Sequence, residues 1–385
     1  MKKILIAVFS LLALQQVFAQ SGIEFKQSWK EALAIAAKEK KLIFMDAYTT
    51  WCGPCKKLSK EVFPNEMVGE FFNKNFVSLK MDMEKGEGIA LAEKFEVNVY
   101  PTLLFLNAYG EIVHRTAGFH NAEQLIELGG RALNPARTLA AMQQRFDGGE
   151  RDPDFLAEYA ILRFEAMDNS HQPVAEAYLQ TQKDWSSEVN RKFIFRMVEN
   201  TESPMFDYLV KNRKAFEEIF GEREVAGRVE ELIYGSIYAL GEAPELEKVD
   251  AVFAKAYPEK AAYLSARYRM RHYLEQENIG GFAKAAVDYF KKFPSNDPQE
   301  LNEVAWTFYE VVESKKMLKK AVKWAKQSVK LENAYYNNDT VAALYYKLGK
   351  KKKGVKAAEK AIAIAQANGE DSTSTQELLD NLKKL

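Results

Sequence analysis

The chain has 385 residues, and Lys+Arg and Asp+Glu both number 54, so no overall charge argues for a nucleic-acid partner. This length fits two or three domains, and 47% apolar residues are ample for packed cores. Only two cysteines occur, three positions apart, which excludes a framework of structural disulfides.

In chain order, Lys2 and Lys3 precede an apolar run from Ile4 to Leu14, and Val17-Phe18-Ala19 offers a cleavage site. This reads as a signal peptide over residues 1–19, too short to span a bilayer comfortably. An uncleaved anchor is the competing reading. No cysteine stands near Ala19, which argues against a lipid-anchored form. The mature chain is expected to begin near Gln20 and to be exported, to a bacterial periplasm or otherwise secreted.

Ile23-Glu24-Phe25 is a short strand candidate, and Ser28-Trp29-Lys30-Glu31 is a capping box opening a helix to about Lys40. Trp29, Leu33 and Ala36 share one face of that helix. Lys41 to Ala47 is a continuous apolar strand, as expected at the centre of a sheet covered on both faces. The stretch Trp51-Cys52-Gly53-Pro54-Cys55-Lys56 comes next, where strand should give way to helix. A thiol pair at this spacing can close a small disulfide ring or open into two thiols. Cys52 falls at a helix N-terminus, whose free N–H groups and dipole favour a thiolate. Pro54 lies in the first turn, where its missing N–H costs little. The residues predict thiol–disulfide exchange. The competing reading is a zinc half-site, which needs two more ligands. His114, His120, His171 and His272 are the available histidines and none has ligand spacing, so no metal is expected.

The helix is expected to run to about Val62 and to be interrupted by Pro64, with Asn65 capping a second piece that holds Phe71 and Phe72. A strand at Phe76–Met81 leads to a loop with Gly86 and Gly88, then a short helix from Ile89 to Phe95. Thr102–Leu106 and Glu111–Thr116 form a hairpin, and Asn121 caps a closing helix to about Leu133.

Residues from about Gly22 to Asn134 resemble the thioredoxin family. Besides the cysteine motif, the likeness rests on Asp46, six residues before the first cysteine, and on Lys80 in the next strand. Tyr100-Pro101-Thr102 matches the family's cis-proline loop, and Gly118 its glycine after the last strand. The resemblance implies an α/β thioredoxin-like fold over 20–137, a central mixed sheet flanked by helices. It implies an exposed nucleophile at Cys52, a shielded resolving Cys55, a buried general base at Asp46 beneath Cys55, and a tuning lysine at Lys80. A buried carboxylate should titrate high, which suits a base working near neutrality. The alternatives are a solvent-facing Asp46 and a surface Lys80 on an edge strand. Trp51, Gly53, Pro54, Tyr100, Pro101 and Thr102 would meet the partner, with core packing as the alternative for Trp51. Tyr100 is bulkier than the aliphatic residue common in thioredoxin itself. The implied redox group is the Cys52–Cys55 disulfide, with no other cofactor. The implied partners are protein disulfides or dithiols, and a membrane thiol carrier for recycling.

After Pro135 strand signals disappear, and Ala, Glu, Lys, Leu and Tyr recur at helical spacing. Residues 138–280 read as a helical region without a clean period, and 281–385 as helical repeats. Ala321, Ala325 and Ser328 return 33 residues later as Gly354, Ala358 and Ala361. Upstream lie Val304-Ala305-Trp306 and Val341-Ala342-Ala343, and the stretch from Leu301 to Gln366 resembles tetratricopeptide (TPR) repeats. The first copy carries about four extra residues between its helices. A non-repeat helical bundle is the alternative. In the repeat register, Asn302, Trp306 and Tyr309 line a concave face with Tyr336, Asp339 and Tyr346 beside them, a candidate partner-binding surface. The lysines at 315–330 and 350–353 read as solvated helix faces and turns. The whole reads as an exported thiol:disulfide oxidoreductase that reduces or exchanges disulfides. The alternatives are a TPR-type scaffold with a redox-idle domain, or a disulfide oxidase or isomerase.

Overall fold

A computed structural model describes residues 22–167 and 170–385. The signal peptide expected at 1–19 and its cleavage at Ala19 lie outside the described residues. The chain forms two compact units, Met1–Glu199 and Asn200–Leu385.

The first unit is built on five strands, β1 (Phe25–Lys26), β2 (Leu42–Tyr48), β3 (Phe76–Asp82), β4 (Thr102–Leu106) and β5 (Ile112–Ala117), in the order β1-β3-β2-β4-β5. β1, β3 and β2 are parallel, while β4 is antiparallel to both β2 and β5. Alternation along the strands splits the core in two. Ile43, Met45, Ala47, Leu79, Leu104 and Leu106 pack on one face, with Ala32 and Ala36 of α1 (Trp29–Glu39) and Leu91 of α4 (Glu87–Lys94). Phe44, Phe76, Leu103 and Phe105 pack on the other. There they meet Leu58 of the turn after the cysteines, Val68 and Phe72 of α3 (Glu66–Asn75), and Leu125 and Leu128 of α5 (Ala122–Leu133). By the same alternation Asp46 and Lys80 fall on this second face, and the register sets them directly opposite each other.

Local signals act as expected at most boundaries. The Ser28 and Asn65 side chains accept the first free helical N–H groups of α1 and α3, and Asn121 and Gln124 form a reciprocal capping box on α5. Several boundaries differ. The first strand is displaced to Phe25–Lys26, because the Ile23 N–H is taken by the Phe63 carbonyl. The active-site helix is α2 (Gly53–Lys57), and it continues as a π-helical turn over Leu58–Val62, closed by Phe63 N–H donating to the Leu58 carbonyl. Gly88 is where backbone meets backbone. A Cβ there would lie 2.0 Å from the Asp82 carbonyl oxygen, so only glycine lets α4 start against the end of β3.

The sequence-based boundary at 137/138 falls just before α6 (Leu139–Asp147), yet the sheet edge bonds to helices beyond that point. The Leu139 N–H donates to His114 Nδ1 on β5 at 3.2 Å, and Thr116 Oγ1 donates to the Glu165 carbonyl of α7 (Pro153–Ala166) at 3.3 Å. Two further helices, α8 (Gln172–Thr181) and α9 (Glu188–Met197), complete this unit.

The second unit is helical throughout its described residues. It opens with α10 (Pro204–Lys211), α11 (Arg213–Phe220), α12 (Glu222–Ala239) and α13 (Leu246–Ala256). Three helical hairpins come next: α14 (Ala261–Glu275) with α15 (Ile279–Lys292), α16 (Pro298–Val311) with α17 (Lys315–Leu331), and α18 (Tyr335–Lys347) with α19 (Lys351–Asn368). The helix α20 (Thr373–Lys384) then packs on α19 and α18. One apolar cluster runs from Met270 of α14 through Phe282, Phe308, Ala321 and Ala325 to Leu344 of α18. The four extra residues of the first repeat copy are taken up as helix and not as loop. Lys315 to Ala321 in α17 stands against Lys351 to Gly354 in α19, and Trp306 to Val311 in α16 against Ala343 to Lys347 in α18, while Val312–Ser314 and Leu348–Lys350 are equal connections. The boundary placed at 281 falls inside α15. Its hairpin with α14 is closed by Asn278 accepting the Gly281 N–H, with no proline to mark it.

Candidate active site

The two cysteines are joined as a disulfide with Cα atoms 5.3 Å apart, at the start of α2. Cys52 is the N-cap residue of the helix, and its Sγ accepts the Cys55 backbone N–H at 3.1 Å. That donor and the helix dipole meet whatever negative charge the sulfur carries after reduction. Pro54 takes the first turn as expected, and Gly53 and Pro54 are both exposed. The resemblance implied an exposed Cys52. Instead it is 3% accessible against 1% for Cys55, because its sulfur is folded onto the helix N-terminus.

Asp46 is fully buried at the centre of the sheet, so the solvent-facing alternative does not hold. Its Oδ2 accepts from Lys80 Nζ at 2.6 Å, and its Oδ1 has no hydrogen-bond partner among the described residues. Burial pushes the Asp46 carboxyl above the usual carboxylate range, and the Lys80 ammonium opposes that rise without cancelling it. Lys80 is no edge-strand lysine, since β3 lies between β1 and β2. Its ammonium sits 4.5 Å from the Tyr48 ring and 5.0 Å from the Phe63 ring, and it donates to Ser59 Oγ at 2.6 Å. Ser59 was not singled out by the sequence. It stands four residues after Cys55, the spacing that puts two residues on one helix face, and this was the signal available.

Trp51 is 64% exposed, which removes core packing as its explanation. Its indole N–H donates to Glu84 Oε1 at 2.9 Å, and its ring meets Tyr100 edge-on at 5.9 Å. Glu84 is a second residue that sequence spacing did not reveal, because its loop reaches Trp51 only in the fold. The Tyr100–Pro101 peptide bond is cis, as the resemblance implied. Thr102, grouped with the partner-facing residues, turns its side chain inward. It is fully buried and its hydroxyl donates to the Val99 carbonyl at 2.7 Å, so its side chain shapes the loop from within. A cleft of about 330 Å³ lined by Tyr48, Thr49, Thr50, Cys55, Lys56, Ser59 and Lys60 opens beside Cys55. Among the described residues no group of three His, Cys, Asp or Glu is placed to hold a metal ion.

In the second unit, the six residues read as a partner face are all half-buried. Trp306 donates its indole N–H to Glu310 and lies 5.0 Å from the Tyr309 ring, outside the apolar core where Trp324 packs against Phe290 and Phe308. Asp339 and Tyr346 are close enough to raise the Tyr309 phenol, behind the larger effect of its burial. Both also engage α20: Asp339 accepts from Thr375 at 2.7 Å, and Tyr346 packs with Leu379 and Leu382. Tyr336 donates to Glu332 at 3.2 Å, and Asn302 Oδ1 is buried without a partner among the described residues.

Comparison with known proteins agrees with this geometry. The family description "Thioredoxin-like domain" matches residues 29–132. Thioredoxin-1 of Drosophila melanogaster is 36% identical over 90 residues, covering 23% of this chain and 76% of the relative. The chain belongs to the thioredoxin family. The thioredoxin-like region is also 31% identical to the thiol:disulfide interchange protein DsbD of Pseudoalteromonas atlantica, over 24% of this chain and 16% of that one. Among solved structures, a candidate disulphide-isomerase of Bacteroides thetaiotaomicron is 51% identical over 30% of this chain and 98% of its own, with a TM-score of 0.27. The protein is thus a thioredoxin-like thiol:disulfide oxidoreductase whose redox group is its own Cys52–Cys55 disulfide.

Proposed function

We propose that this protein is an exported, periplasmic oxidoreductase that reduces or exchanges disulfides of other proteins and is recharged by a membrane thiol carrier. The observation that carries the reading is the Cys52–Cys55 pair at a helix N-terminus with the buried Asp46, paired to Lys80, on the same face of the sheet. Cys52, as thiolate, attacks a partner disulfide. Cys55 then resolves the mixed disulfide while Asp46 takes its proton and Lys80 tunes that acid. Trp51 and Tyr100, joined edge to face beside the cysteines, form the wall against which the partner chain lies. Export is supported by the N-terminal pattern of Lys2, Lys3 and the apolar run to Leu14. The name of the Pseudoalteromonas relative, an interchange protein, supports exchange with protein disulfides. An exported reductase needs electrons from inside, hence the carrier. The domain over 20–137 carries the chemistry, and the repeats over 281–385 hold the partner through Trp306 and its neighbours.

Equilibration of the pair with glutathione tests the direction of electron flow. A reductase should show a potential near that of thioredoxin, about −270 mV, whereas a value near about −120 mV would make the protein an oxidant.

A further inference from the structure

Ser59 lies in the π-helical turn that extends α2, where one extra residue per turn redirects side chains and often marks a functional site. Its hydroxyl makes two bonds of opposite sense. It accepts from Lys80 Nζ at 2.6 Å and donates to the Cys55 carbonyl at 3.0 Å, which one proton and two lone pairs allow together. The Lys80 ammonium therefore has one oxygen partner on the sheet, Asp46 Oδ2, and one on the active-site helix. A lysine on its four-carbon stem is otherwise free to swing toward water, and 21% of this side chain is accessible.

We propose that Ser59 is a positioning residue of the exchange site: it holds the Lys80 ammonium on Asp46 Oδ2 and couples that pair to the active-site helix through the Cys55 carbonyl. Its catalytic consequence rests on the oxidoreductase reading above, but the positioning itself belongs to the resting, oxidised protein. With Lys80 pinned to Oδ2, the unpartnered Oδ1 is the atom left to receive a proton. In the resolving step the Cys55 thiol proton passes to Asp46, and the sulfur's electron pair forms the bond to Cys52 Sγ. The bond between Cys52 and the partner's sulfur breaks, and the partner leaves as a thiolate. The cysteine pair is oxidised by two electrons and the partner disulfide is reduced by two.

The groups facing Asp46 are Lys80 from β3, Tyr48 from its own strand and, through Ser59, Cys55 from α2, while β4 sets Leu103 opposite it. Burial raises Asp46 and Lys80 opposes the rise, so loosening Lys80 lets the carboxyl climb further. The test is an NMR titration of the Asp46 carboxyl carbon in the oxidised full chain. Ser59→Ala should raise its midpoint by about half a pH unit or more, roughly a threefold gain in proton affinity. Ser59→Val should do the same if Ser59→Ala fails to fold, and Ser59→Thr, which has the shape of valine with the hydroxyl kept, should restore the parent value. Lys80→Met should raise the midpoint further, and adding Ser59→Ala to it should change nothing. An unmoved midpoint in Ser59→Ala, or an equal shift in the Lys80→Met background, overturns the proposal. Failure of the parent to reduce insulin would count against the exchange reading alone, since the titration involves no exchange.

Discussion

At the residue scale, Cys52 and Cys55 differ in what surrounds each sulfur. Cys52 Sγ already accepts a backbone N–H at the helix start, so its thiolate is stabilised where it forms. Cys55→Ser should therefore accumulate mixed disulfides with exported proteins, resolved on non-reducing gels, and Cys52→Ser should not. Equal trapping by both variants would sink these roles. Asp46 has a different signature. Burial holds its carboxyl above the usual range, so the proposed service as a base should fade as pH falls toward that raised value. Asp46→Asn should slow resolution at pH 7 by about a hundredfold or more, within the range of general-base effects. By pH 9 the loss should shrink, because the thiol then ionises unaided. Stopped-flow fluorescence across this range would expose a pH-independent loss, which would assign Asp46 to packing.

At the element scale, the docking of α6 on β5 passes through one histidine. His114 Nδ1 accepts the first helical N–H of α6, which requires a neutral ring. Burial, helped by the nearby Arg131 charge, pushes its pKa from 6.5 down to about 4. The folded state thus resists a proton that the unfolded chain binds below pH 6.5. The stability concerned is fully present above pH 6.5 and is lost as pH falls toward 4, amounting to about 3 kcal/mol at most. Urea melts at pH 7.5 and 4.5 should show this loss, and His114→Asn, which keeps an acceptor near the Nδ1 position, should reduce it. A pH-independent midpoint in the parent would contradict the assignment. The start of α4 is a harder constraint. Gly88→Ala drives a Cβ onto the Asp82 backbone oxygen, with no flexible side chain to yield, and should cost about 2 kcal/mol or more in the same assay. By contrast, Gly354→Ala in α19 would meet the Leu382 side chain of α20, which can turn aside.

At the scale of the whole molecule, the place to cut the chain is set by packing. A truncation at Arg137 would strip α6 and α7 from β5 and leave His114 and Thr116 without their partners. Ending the chain at Glu199 keeps the first compact unit whole. That shortened protein should reduce insulin at the full-length rate, within about twofold, if exchange resides in the first unit alone. Trp306→Ala in the full chain should leave the insulin rate unchanged as well. It should thin the set of mixed disulfides trapped by Cys55→Ser if the repeat face holds partners near the thiols. Trp306 is a cleaner probe than Tyr346, which also packs against α20.

What the sequence determined by itself were the features carried by local rules. The apolar run of β2, the caps at Ser28, Asn65 and Asn121, and the cysteine pair at a helix start are all written within a few residues. The family likeness added the cis bond before Pro101. The tertiary structure decided whatever depends on which distant elements meet. Ser59 became a partner of Lys80 only when the π turn of α2 closed over β3, and Glu84 reached Trp51 only through its loop. The helices after residue 137 joined the first unit because β5 offers the His114 imidazole to the Leu139 N–H of α6 and the Thr116 hydroxyl to the Glu165 carbonyl of α7. α20 took up Asp339 and Tyr346 because a stack of hairpins ends in an apolar face that the last helix has to cover. No periodicity in the chain encodes these meetings, since each joins residues whose separation in sequence is set by everything folded between them.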